Sequence, residues 1–264
     1  MRARRLWLLE DRGDGDDSQQ VWEMNAGISA PAAFNPTIVS ATAAEYETAA
    51  TSTVVTLPAR NVGDRLLLLL NRSSSDGEAV ATPSGWTALD TSSLTGTTSS
   101  FTRAYYQDVT SGNVGDTTAT FVGASNVLAA SLVWRLSGCD LTVAPVANGT
   151  RQNLTTETTV DPGALTGPNA GAVQRNLWFV YVGTAAQDTA LGVTPVVTGF
   201  PATYGDTGTN TTHDATVALG SGQGWGSKVA TAGSDNPSAW TYNPTNPTPN
   251  RALAINIAVR GVIG

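Results

Sequence analysis

One cysteine, Cys139, and one histidine, His213, are all that 264 residues offer to thiolate or imidazole chemistry. A single thiol closes no intrachain disulfide framework, and zinc sites need more Cys and His side chains than this. Charged residues make up only 13% of the chain, and Lys228 is the one lysine among 14 basic residues. The formal net charge of -7 argues against an electropositive nucleic-acid face. Long apolar runs are missing too: no stretch approaches the roughly 20 residues of a spanning helix, so no membrane insertion is expected. The opening MRARRLWLLEDRGDGDD has the basic front of a signal peptide. Its apolar stretch, Leu6–Leu9, stops at Glu10 and is too short for a secretory core. The sequence therefore predicts a soluble protein made in a cytoplasm.

What the chain does have is Thr, Val, Ala and Gly in short runs, punctuated by 27 Gly and 13 Pro. That composition predicts an all-β protein. The most apolar run is Leu66–Leu70. Five residues are too few for a helix with a core face, but they suit a strand buried on both faces. Asn61-Val-Gly-Asp64 before the run and Ser73-Ser-Ser-Asp-Gly77 after it are turn material. Arg65–Asn71 therefore reads as a central strand of a β-sandwich.

The run has an echo in RNLWFVYVGTAAQD (175–188). Each run follows a Thr/Val stretch that meets a proline, TVVTLP (53–58) and TTVDPG (158–163). Each precedes an aromatic after glycine, Gly85-Trp86-Thr87 and Gly199-Phe200-Pro201. Further on, DTTATFVG (116–123) answers PSAWTYNP (237–244), and SLVWRLSG (131–138) answers AINIAVRG (254–261). The order is the same both times. An internal duplication is expected, with halves at 38–138 and 155–264 and a connector at 139–154. Two arrangements fit: one jelly-roll-like antiparallel β-sandwich, or two intimately packed sandwiches.

Residues 1–37 break the strand rhythm with charge clusters, Pro31 and Pro36. Their large apolar residues would be exposed on a free arm, so Trp7, Leu9, Trp22 and Met24 are candidate docking residues for a partner or for the sandwich itself.

The succession PARNVGDRLLLLLN, PSGWTAL, FTRAYYQDVTSGN, TATFVGASNVLAASLVWRLSG, TTVDPGALTGPNAGAVQRNLWFVYVG and LAINIAVRG, over roughly 38–261, resembles a group of β-sandwich virion structural proteins of tailed bacteriophages. The resemblance is one of strands and turns, not of a catalytic signature. It implies a jelly-roll-like virion component assembled in the host bacterial cytoplasm. Its implied partners are other virion proteins and copies of itself.

No catalytic constellation emerges. His213 in GTNTTHDATV stands beside Asp214, but a lone His among Thr and Asn reads as a surface residue. There is no G-x-S-x-G elbow. Asp14, Asp16 and Glu23 fall at positions 3, 5 and 12 of a calcium-loop register. Arg12 then occupies position 1 and Asp17 the glycine position, so a solvated acidic turn is the expectation. GSGQGWGSK (220–228) lacks phosphate-loop spacing. The sequence predicts no enzyme and no cofactor. Surface aromatics remain: Trp225 in that Gly-rich loop, with Tyr204 and Tyr242 among Gly, Asn and Pro, are candidates for stacking on glycans. Trp86, Trp134 and Trp178 read as core.

Two functions follow as expectations. One is a capsid decoration or cement protein, or another accessory protein of the particle surface. The other is a tail-fibre or tail-tip protein that binds host surface glycans.

Overall fold

The computed structural model describes residues 36–74, 79–89, 99–153, 159–168, 171, 173–187, 196–214, 219–243 and 251–262. The arm residues Trp7, Leu9, Trp22 and Met24 and the acidic stretch 11–23 lie outside them. The chain divides into Met1–Ala32 and Ala33–Gly264, and everything described belongs to the second unit.

Every described element is a β-strand, and all pairings between strands are antiparallel. β1 (Thr37–Thr56), β2 (Arg65–Ser74), β3 (Thr87–Ala88), β4 (Ser99–Asp108) and β5 (Thr118–Ser137) form a five-stranded sheet in the order β1-β5-β2-β4-β3. The remaining strands are β6 (Val146–Asn153), β7 (Thr159–Val160), β8 (Leu165–Thr166), β9 (Gln174–Gln187), β10 (Val196–Gly199), β11 (Gly205–Asp214), β12 (Leu219–Ala232), β13 (Ser234–Asp235), β14 (Trp240–Asn243) and β15 (Arg251–Arg260). A second five-stranded sheet runs β11-β12-β9-β15-β6. A smaller layer runs β10-β14-β7, and β8 pairs with β13.

The leucine run lies in β2, between β5 and β4. Side chains alternate across a strand, so the run feeds two cores. Leu66, Leu68 and Leu70 join Val55, Phe101, Tyr105 and Phe121 on one face. Leu67 and Leu69 join Trp134, Phe179, Ile255 and Ile257 on the other. All five leucines are fully buried, each contributing about 1.5–3 kcal/mol from area. β9 repeats the device: Leu177, Phe179 and Tyr181 face the first sheet, while Trp178, Val180 and Val182 face away from it.

Each outer face is covered by the chain of its own half. The end of β1, the start of β5 and residues 80–86 roof the first sheet with Val55, Phe121 and Trp86. The β10-β14-β7 layer roofs the second with Val197, Trp240 and Val160. β2 faces β9 across the central core, β1 faces β11, and β4 faces β15.

Polar groups cross that core in pairs. Asn71 Nδ2 donates to Thr184 O at 2.9 Å and Gly222 O at 3.0 Å, and its Oδ1 accepts from Thr102 at 2.8 Å. Gly183 is needed there, since a Cβ would stand 2.8 Å from Asn71 Oδ1. Gln223 accepts from Tyr181 OH and donates to Ser131 O, both at 3.0 Å.

β1 and β5 turn a corner. Their register slips between Tyr46 and Ser52, as at a β-bulge. The fully buried Arg72 fills this corner. It donates to Ala50 O (3.1 Å), Thr51 O (3.3 Å), Ser125 O (3.1 Å) and Thr53 Oγ1 (2.9 Å). The guanidinium thus supplies donors where the regular ladder is interrupted.

The stretch expected to connect the halves is partly strand. Val146–Asn153 forms β6, the edge of the second sheet, paired with β15. Its sequence, VANGTRQN, carries no apolar run because only an edge position is asked of it. Residues 139–143 do connect. Arg65 Nη1 donates to Val143 O at 3.0 Å, Asp140 N donates to Arg260 O at 2.9 Å, and Arg260 lies 3.5 Å from Asp140 Oδ2. Arg65 also grips Asp108 with two nitrogens, at 2.6 and 3.1 Å.

Candidate functional site

The three residues picked out for glycan stacking do not form one platform. GSGQGWGSK is strand, not loop: it belongs to β12, between β11 and β9. Its glycines mark close approach of the covering layer. A Cβ on Gly224 would stand 2.9 Å from Val197 and 3.2 Å from Trp240. Trp225 points the other way, against the central core, with its ring over Gly208 on the neighbouring strand. Tyr204 packs on the far side of β12, in the outer core of the second half. Tyr242 stands opposite Val197 in β14; its side chain lies outside the described residues. So does the side chain of His213, whose backbone pairs with Gly220. Trp86, Trp134 and Trp178 are core, as expected.

Tyr204 closes a turn that also occurs in the first half. Tyr204 N donates to Pro201 O at 3.4 Å, and Trp86 N donates to Pro83 O at 3.2 Å. Both turns lead into an edge strand, β11 or β3. The turn that ends in Gly85-Trp86 is thus matched in hydrogen bonding by the one that ends in Thr203-Tyr204. The third turn residue is left-handed in both, with φ of 79° at Gly85 and 73° at Thr203. Glycine takes that conformation freely, whereas a β-branched residue there is strained by about 1–2 kcal/mol. Thr203 is the one non-glycine residue with positive φ among those described.

Around this turn the halves differ in chemistry. In the first, Gly85 adjoins the buried Gln107, and Trp86 fills the core. In the second, Lys228 takes the strand position matching Gln107, each paired to its central strand, Lys228 with Trp178 and Gln107 with Leu66. The Lys228 ammonium sits 4.4 Å from the centroid of the Tyr204 ring. It donates to Asp235 Oδ1 at 2.6 Å and to Thr203 Oγ1 at 3.4 Å. The Tyr204 hydroxyl donates to Asp235 Oδ2. Burial, then the hydrogen bond to Asp235 and its negative charge, push the Tyr204 phenol well above its ordinary value. Tyr204 therefore offers neither a free ring face nor an ionisable hydroxyl near neutrality.

Lys228 and Asp235 side chains are 19% and 14% exposed. Phe200, 37% exposed, immediately precedes this turn, its ring 5.5 Å from that of Trp240. Ala202 N donates to Ser238 Oγ at 2.8 Å, tying the turn to the segment after Asp235. The sequence did carry a signal for this cluster: its lysine is the chain's only one. The pairing with Asp235 was invisible because it runs between β12 and β13, which share no sheet.

Elsewhere among the described residues, ion pairs tie the strands together. Arg135 Nε lies 2.6 Å from Asp64 Oδ2, and Arg65 meets Asp108 as above. The Cys139 thiol is pushed up to about 12, chiefly by burial, which removes it as a nucleophile. No group of three or more metal-ligating side chains occurs among the described residues. No protein family, curated protein or solved structure matches the chain.

Proposed function

We propose that this chain is a structural component of a tailed-phage virion, a capsid decoration or cement protein or another accessory protein of the particle surface. One observation carries the reading. The stretch that resembles virion β-sandwich proteins, 38–261, coincides with two sheets covered on both faces, as suits a rigid building block. Arginines within it are engaged in internal pairs and carbonyl contacts.

We read the fold as a jelly-roll-like sandwich with an internal duplication. In chain order within each sheet, both large sheets run first, last, second, fourth, third: β1-β5-β2-β4-β3 and β6-β15-β9-β12-β11. Pairing agrees with the same alignment. Val55 meets Ala119 where Val160 meets Trp240, and Leu67 meets Trp134 where Phe179 meets Ile257.

Attachment falls to the arm, with Trp7 and Trp22 as anchors worth roughly 2–3 kcal/mol each once buried. The test pairs a thermal melt with incorporation into particles lacking the native protein. Deleting residues 1–30 should leave a folded β-rich domain that no longer incorporates. Full occupancy by the truncated protein would move attachment onto the sandwich. The second reading, a tail-fibre or tail-tip glycan-binding protein, is favoured by the strained turn at Thr203, because such strain tends to collect at binding sites. Antibody labelling of intact particles separates the two by position.

A further inference from the structure

We propose that Phe200, Thr203, Lys228 and Asp235 form a binding site for a neutral saccharide. The two halves share a turn, and only the second has been rebuilt around it. Gly85, Trp86 and Gln107 make an ordinary closed turn. At the matching places stand Thr203, Tyr204 and Lys228, and Asp235 is added opposite them. A strained β-branched residue, the chain's only lysine and a carboxylate held by two donors have met at one point of the surface.

Charge decides the ligand class. Lys228 and Asp235 neutralise each other at 2.6 Å, so the site has no net pull on an anion or a cation. Spare hydrogen-bonding capacity remains. A carboxylate has about four lone-pair positions and an ammonium three donors. Asp235 uses Oδ1 for Lys228 and Oδ2 for Tyr204. Lys228 uses one donor on Asp235 and a longer one on Thr203. A ligand rich in hydroxyls both donates to the first and accepts from the second. Phe200 supplies a part-exposed ring, backed by Trp240, on which the C–H face of a sugar can lie. The polar groups are already held in place, which lowers the ordering cost of binding. The site does not depend on where the particle carries the chain.

The test is saturation-transfer difference NMR on the full chain with glucose, galactose, mannose and N-acetylglucosamine, each at millimolar concentration. At least one should show transfer. Phe200→Ala, shown by a melt to remain folded, should weaken it at least about tenfold, and Asp235→Asn should weaken it as well. Trp225→Phe, on the opposite face of β12, should leave it unchanged. Absence of transfer to all four sugars overturns the proposal, as does binding that survives Phe200→Ala. Neither result bears on the virion reading, which incorporation into particles decides.

Discussion

The two halves reach the same layered arrangement by different means. In the first, β1 and β5 are unbroken 20-residue strands that bend from the large sheet into its roof. In the second, the same work is divided. β6 and β15 stay in the large sheet, while β7 and β14 form the roof. A strand that keeps going around a corner leaves bulged carbonyls, and a buried guanidinium must answer them. At the place corresponding to Arg72 the second half has Thr184.

The largest expected effect tests what the halves have in common. Leu68→Asp and its counterpart Val180→Asp each bury an unpaired charge on a central strand. Each should cost on the order of 5 kcal/mol, enough to unfold a marginal protein. Urea melts of both variants check this, and a Leu68→Asp protein of near-native stability would refute two-sided burial. Arg72→Met comes next and tests the difference. It keeps the volume but abandons Ala50 O, Thr51 O and Ser125 O, for a loss of about 3 kcal/mol. If the melt barely moves, the bend does not rely on the guanidinium.

Alkaline stability should fall more on account of the second half. Burial raises Tyr181 and Tyr204 there, and Tyr46 in the first half, above the ordinary phenol value of 10.0. A raised phenol stabilises the fold fully below that value and progressively less above it, by up to about 1.4 kcal/mol per pH unit for each group. Tyr204→Phe should flatten the decline above pH 10, as followed by denaturant melts across pH. Cys139→Ser should remove an earlier decline that starts near 9.0, the ordinary thiol value. The smallest effect is an exchange at the shared turn. Thr203→Gly should stabilise by about 1 kcal/mol and Gly85→Thr should destabilise by at least as much. Equal signs would mean that the turns are not equivalent.

The central strands were readable from sequence because two-sided burial writes a continuous apolar run. Leu66–Leu70 and Leu177–Val182 have no other reason to exist. Trp134 and Trp178 were readable for the same cause. β6 was not, since an edge strand buries little and VANGTRQN looks like a linker. The glycines of β12 misled: glycine is usually turn material, but here Gly224 makes room for Val197 and Trp240, and Gly226 for Tyr204. The turn equivalence was hidden by a substitution at its defining position. Thr203 does in strain what Gly85 does freely, and no composition rule anticipates that. The Tyr204–Asp235–Lys228 cluster depends on a contact between separate sheets, which local patterning does not encode.

Burial of β2 and β9 on both faces has a consequence for how the protein opens. Their amides are hydrogen-bonded on either side and roofed above and below, and the two strands face each other through Asn71 and Gly183. Neither half can expose its central strand to solvent without stripping the other. Local opening should therefore stop short of these strands, leaving them to exchange hydrogen only through complete unfolding. Residues 36–262 should thus melt as one cooperative unit, with the slowest-exchanging amides concentrated along the line where β2 and β9 meet.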